Sequence, residues 1–195
     1  MFRILLGFIF LVVTLSPLKA QIDSDTSMTD VADVTMPVNP EARPEAGPLL
    51  SASQLERKKW FYSVDEAMRD PNNVYKLSLQ DTDLKFFPME VKRFPNLQVL
   101  NLSNNKIKTV PAEIADLTNL QILILANNKL RVLPDEMKEL ANLESLYLGR
   151  NRFIQIPAWV GGLSKLRNMD LSYNNLTSYE VDLVRRRLPR CQVTH

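Results

Sequence analysis

The chain has 195 residues but one cysteine and one histidine. Cys191 has no second cysteine to pair with, so no internal disulfide can form. A Ser-His-Asp or Cys-His constellation would have to depend on His195, the last residue of the sequence. No CxxC, HExxH, GxGxxG or Walker-type loop occurs. These absences argue against an enzyme and against a metal centre, and no cofactor is expected. An excess of charge is missing too. The net charge is +2, and Arg3 and Lys19 of the first 20 residues account for it. The rest is neutral, which gives no footprint for nucleic acid.

Long apolar runs are also scarce. The longest, Ile4 to Leu15, follows Arg3 and leads to Ala20. That three-part layout predicts a signal peptide over 1–20, too short for a comfortable membrane span. Leu18 is large for a cleavage site, so an uncleaved anchor is the alternative, and only in that case is a membrane a partner. Residues 21–53 contain Pro37, Pro40, Pro44 and Pro48, with six acids against one base. Such a segment buries too little to offset its ordering entropy and predicts a disordered acidic linker.

What the chain has in abundance is repetition. Units beginning at 74, 97, 120, 143 and 166 read VYKLSLQDTDL, LQVLNLSNNKI, LQILILANNKL, LESLYLGRNRF and LRNMDLSYNNL, with a period of 23 and no insertion. Each continues into a second half such as VPAEIADL or LPDEMKEL. This pattern resembles the leucine-rich repeat family over residues 74–195. The resemblance implies an α/β fold: a right-handed solenoid with a curved parallel sheet on its concave face and short helical segments on the convex side. The residues agree with it independently. In LNL, LIL and LYL, alternation buries Leu100 and Leu102 while turning Asn101 outward. Ile114 and Leu117, or Met137 and Leu140, are three apart, as one face of a helical turn requires. A single unit cannot cover its apolar side, whereas stacked units do.

Stacks need ends. Residues 54–73 predict a helical N-terminal cap: Ser63 to Glu66 form a capping-box pattern, with Pro71 ending the helix and LERKKW adding a turn. The repeats occupy 74–176. Residues 177–195 predict a C-terminal cap, with a helix over Tyr179 to Leu188 and a last strand at Cys191-x-Val193. Both ends resemble those of small exported bacterial leucine-rich repeat proteins.

The repeated asparagines separate into two kinds. Asn105, Asn128, Asn151 and Asn174, at the ninth place, point inward and predict a structural ladder that satisfies backbone groups. Asn104 and Asn127, at the eighth, have Asp81, Arg150 and Tyr173 as counterparts, so no structural demand is expected there. Function is sought where the units differ, on the outward places of the sheet. Val99, Ile122, Ile124 and Tyr147 predict an apolar centre, Lys76, Arg150, Arg152, Asp170 and Tyr173 a polar rim, and Ser78 and Asn101 further outward contacts, as a protein-binding surface needs. Trp159 replaces the glutamates of earlier units and is expected to pack on the C-terminal cap helix rather than to make contacts. The Arg185-Arg186-Arg187 cluster reads as a solvated face. The sequence thus predicts an exported, monomeric, non-enzymatic protein-interaction module that is secreted, periplasmic or on the cell surface. The alternatives are a self-associating envelope or matrix component, and a glycan binder using Tyr147 and Tyr173.

Overall fold

The computed structural model describes residues 46–195. The expected signal peptide and the expected linker up to residue 45 lie outside the described residues. Each unit contributes one three-residue strand, too short to stand alone, and lateral pairing makes it stable. β1 (Trp60–Phe61), β2 (Lys76–Ser78), β3 (Val99–Asn101), β4 (Ile122–Ile124), β5 (Ser145–Tyr147), β6 (Asn168–Asp170) and β7 (Gln192–Thr194) form one parallel sheet in chain order. Leu77, Leu100, Leu123, Leu146 and Met169 lie opposite one another along it. A slip by one residue would turn this row outward, so the 23-residue period fixes the pairing.

The return path is built on prolines. Pro88, Pro111, Pro134 and Pro157 each open a 3-10 turn, at Met89–Arg93, Ala112–Asp116, Asp135–Glu139 and Ala158–Gly162. The fixed φ of proline starts such a turn without sacrificing a hydrogen bond. Val91, Ile114, Met137 and Val160 are the residues each turn buries. With the strand leucines they form one continuous core, and each buried side chain is worth about 1.5–3 kcal/mol. The result is the right-handed α/β solenoid expected, with the sheet on its concave face.

At the C-terminal end, α3 (Ser178–Arg187) is capped by Thr177, whose hydroxyl accepts from the Glu180 amide. Three arginines fill its last turn, where cations offset the helix dipole. β7 then closes the sheet against β6. Cys191 is partly buried against the core, and burial pushes its thiol pKa up.

The N-terminal end departs from expectation twice. α2 (Val64–Ala67) is capped by Ser63, which accepts from the Glu66 amide at 3.1 Å. It ends before Pro71, which instead opens another 3-10 turn, Pro71–Asn73. Trp60 and Phe61, expected in helical surroundings, form β1, so Phe61 covers the first coil while Trp60 and Tyr62 stack at 6.5 Å. The second departure concerns residues 46–53, assigned to the disordered linker. They are ordered. Ser51 caps α1 (Ala52–Glu56) through a reciprocal box with Gln54, and the segment before it lies on the sheet. Among the described residues no helix is long and apolar enough to cross a membrane, and no group of His, Cys, Asp and Glu could hold a metal ion.

Candidate functional site

The ninth-place asparagines reach backward across the stack. Asn128 donates to the Leu102 carbonyl of the preceding coil at 2.9 Å and to Leu125 of its own at 3.1 Å, while its Oδ1 accepts from the Ile107 amide at 3.0 Å. Asn105, Asn151 and Asn174 repeat this scheme on Leu79, Leu125 and Leu148. All four side chains are therefore consumed by backbone, and buried backbone groups without them would be unpaired.

The eighth place is constrained as well, which corrects the expectation that nothing structural recurs there. Asp81, Asn104, Asn127, Arg150 and Tyr173 all have φ between 54° and 58°. This is the left-handed region, tolerated by Asn and Asp and costing other residues about 1 kcal/mol or more. Asn104 and Asn127 are the easy solutions. Arg150 and Tyr173 are the costly ones, and they meet: the Arg150 guanidinium lies 4.5 Å from the Tyr173 ring centre. Tyr173 is 76% exposed.

The outward face of the sheet is divided. Lys76, Ser78 and Val99 are only 6%, 6% and 5% exposed, and residues 46–56 are bonded to Lys76 and to Gln98, the neighbour of Val99. This segment is held by five hydrogen bonds. The Gly47 amide donates to Asn96 Oδ1 at 2.6 Å, and Asn119 Nδ2 donates to the Gly47 carbonyl at 3.0 Å. The Leu50 amide donates to Gln98 Oε1 at 3.1 Å, and Gln121 Nε2 donates to the Leu50 carbonyl at 3.3 Å. Farther along, Lys76 Nζ donates to the Glu56 carbonyl and lies 5.1 Å from the Trp60 ring centre. Leu55 is buried here, and like Val99 it lies outside the core within the coils. The assignment of Lys76, Ser78 and Val99 to a partner-binding surface is thus corrected: all three are buried within the chain's own fold.

Beyond the segment the face is open. Ile122, Ile124 and Tyr147 are half-exposed, and Ile124 stands directly opposite Tyr147. Asn101 and Asp170 flank that pair in the same row. Both are partly engaged locally: each Oδ1 accepts the amide and the hydroxyl of a serine two residues on, Ser103 or Ser172. Arg150 and Tyr173 stand at the edge of this open half. Trp159 is partly buried against the core, and its turn packs on α3, where the missing Cβ of Gly161 faces Arg187 Cβ at 3.3 Å.

Sequence reasoning missed Asn96, Gln98, Asn119 and Gln121. The signal was present as a repeated Asn-Leu-Gln at 96–98 and 119–121. The next units have Asn142-Leu143-Glu144 and Lys165-Leu166-Arg167 at these places. The asparagines also link coils, Asn96 to the Asn72 carbonyl and Asn142 to that of Thr118.

Comparison with known proteins places this architecture. A leucine-rich repeat protein of Leptospira interrogans matches with 33% identity over 71% of this chain, with a TM-score of 0.61. An internalin of Listeria monocytogenes matches with 21% identity over 61% of this chain, with a TM-score of 0.47. The chain spans about a third of the length of each, 35% and 32%. No curated protein matches it. The family model described as a leucine-rich repeat region matches residues 74–188. That match covers more than half of the sequence and coincides with the stacked coils and their asparagine rungs, and the chain belongs to the leucine-rich repeat family.

Proposed function

We propose that this chain is a non-enzymatic recognition module that binds a protein on the open half of its concave sheet, working outside the cytoplasm after export by its leader. A leucine-rich repeat solenoid is in general a protein-interaction scaffold, and its rigidity lowers the ordering cost of binding. The observation that carries the proposal is the pair Ile124 and Tyr147, left half-exposed beyond the covering segment with Arg150 and Tyr173 beside it. Aromatic and arginine side chains around an apolar centre supply most of the energy of protein interfaces. Asp170 and Asn101 add polar specificity at the rim. Glycan stacking is less well served, because Arg150 already covers one face of the Tyr173 ring. The chain is proposed to act as a monomer, in contrast to a self-associating envelope component.

The test is capture of a partner from envelope extract by the purified chain. Tyr147→Ala combined with Ile124→Asp abolishes capture while the circular dichroism spectrum is unchanged. Undiminished capture sinks the proposal, and assembly of the pure protein with rising concentration favours the envelope component.

A further inference from the structure

We propose that Asn96, Asn119, Gln98 and Gln121 form two carboxamide clamps that bind the backbone of an extended, uncharged peptide, and that residues 46–51 are its occupant in cis. The inference rests on the proposal that the concave sheet takes protein. It identifies the partner's binding segment as an extended stretch with a small residue at the first clamp and an apolar one at the second.

The geometry is that of backbone recognition. In an extended residue the amide and carbonyl point to the same side, so two groups on one surface can meet both. Asn96 and Asn119 belong to adjacent coils and meet the amide and the carbonyl of Gly47; Gln98 and Gln121 do the same for Leu50. Neither clamp contacts a side chain of the segment by hydrogen bonds, so each reads the presence of an N–H and a C=O rather than identity. Carboxamides occupy both clamp places only in the two units that the segment straddles. The unit before has Tyr75, and those after have Glu144 and Lys165 with Arg167. The site is therefore written into the sequence at one position along the solenoid.

The cis occupant is not an ideal one. Gln98 Nε2 is buried and meets no acceptor among the described residues, and an unmet buried donor weakens the arrangement. A peptide that supplied a carbonyl there would bind better than the chain's own segment. Departure of the segment would also release the cation of Lys76 from the Glu56 carbonyl. Because a tethered segment competes at an effective concentration on the order of millimolar, a free peptide is excluded until the tethered one is loosened.

Gly47 offers the means. A Cβ there would stand 3.0 Å from Asn96 Oδ1, so Gly47→Val in the full chain crowds the first clamp and loosens the segment without altering either pair of carboxamides. The probe is a fluorescent peptide with the sequence of residues 46–56, followed by anisotropy. It is expected to bind Gly47→Val at least tenfold tighter than the unaltered chain, and adding Gln121→Ala to that variant reverses the gain. Leu55→Asp, which loosens the segment away from the clamps, gives the same gain and guards against misfolding of the first variant. A probe with proline in place of Leu50 lacks the N–H that Gln98 accepts and is expected to lose at least tenfold in affinity. No binding to either loosened variant, or binding indifferent to that proline, overturns the proposal. If peptide binding fails while capture still depends on Tyr147 and Ile124, the clamps are wrong and the concave face stands. If capture ignores those two residues while the clamps bind as expected, the wider proposal falls instead.

Discussion

The two halves of the sheet share one backbone and differ in what lies on it. In the units beginning at 97 and 120, Asn96, Gln98 and Asn119 are buried beneath residues 46–56; at the same places of the units beginning at 143 and 166, Asn142 is half-buried and Lys165, Glu144 and Arg167 are exposed. The asparagine rungs are the same in both halves, and so are the proline-led turns. The comparison shows that coil geometry and surface use are set by separate places in the repeat. Leucines and ninth-place asparagines determine the first, and the residues just before and just after each leading leucine determine the second.

Five substitutions and one exchange measurement bear on that separation. The largest effect is expected where both halves are alike. Asn128→Ala leaves the buried Ile107 amide unpaired and removes one of two donors from each of the Leu102 and Leu125 carbonyls, and lowers stability by about 1–3 kcal/mol, seen as a lower chemical-denaturation midpoint. Asn174, half-buried at the last rung, should cost less on the same substitution. A smaller effect separates the halves: Asn119→Ala removes a clamp donor and a bond to Pro95 and costs about 1 kcal/mol. Asn142→Ala, at the corresponding open position, costs about half of that or less. Equal losses would mean that the covering segment contributes nothing at Asn119. Hydrogen exchange gives a finer view: the Gly47 and Leu50 amides exchange more slowly than that of the exposed Leu49 between them, and Gln121→Ala speeds Leu50. The smallest effect is a gain. Tyr173→Asn removes a costly left-handed tyrosine and raises stability by up to about 1 kcal/mol, while weakening partner capture.

The sheet, the core and the ladder were legible because they repeat. Leu100, Leu123 and Leu146 announce a strand each, and Asn105, Asn128 and Asn151 fall in register with them. The C-terminal helix and β7 followed from apolar spacing. The covering segment was not legible, for a physical reason. Gly47, Pro48 and the small polar residues after them have the composition of a flexible linker, and what orders them is a set of amide groups 48 to 72 residues away in the chain. Lys76, Ser78 and Val99 therefore looked available. The eighth place misled in the opposite sense: Asn104, Arg150 and Tyr173 differ chemically, yet one backbone conformation runs through them all. Of the candidate contacts, Ile122, Ile124, Tyr147, Arg150 and Tyr173 remain accessible, and Asn101 and Asp170 are accessible in part.

The left-handed corners have a consequence for the unfolded chain. Among the described residues every positive φ belongs to a non-glycine residue: Asp81, Asp83, Asn104, Asn127, Arg150 and Tyr173. A glycine at these corners would relieve the folded state of strain but give the unfolded chain more conformations to lose. By using asparagine, aspartate and even arginine and tyrosine instead, the chain keeps its denatured ensemble narrower at each corner. Part of the solenoid's stability therefore resides in states that are never folded, as freedom the chain does not have to give up.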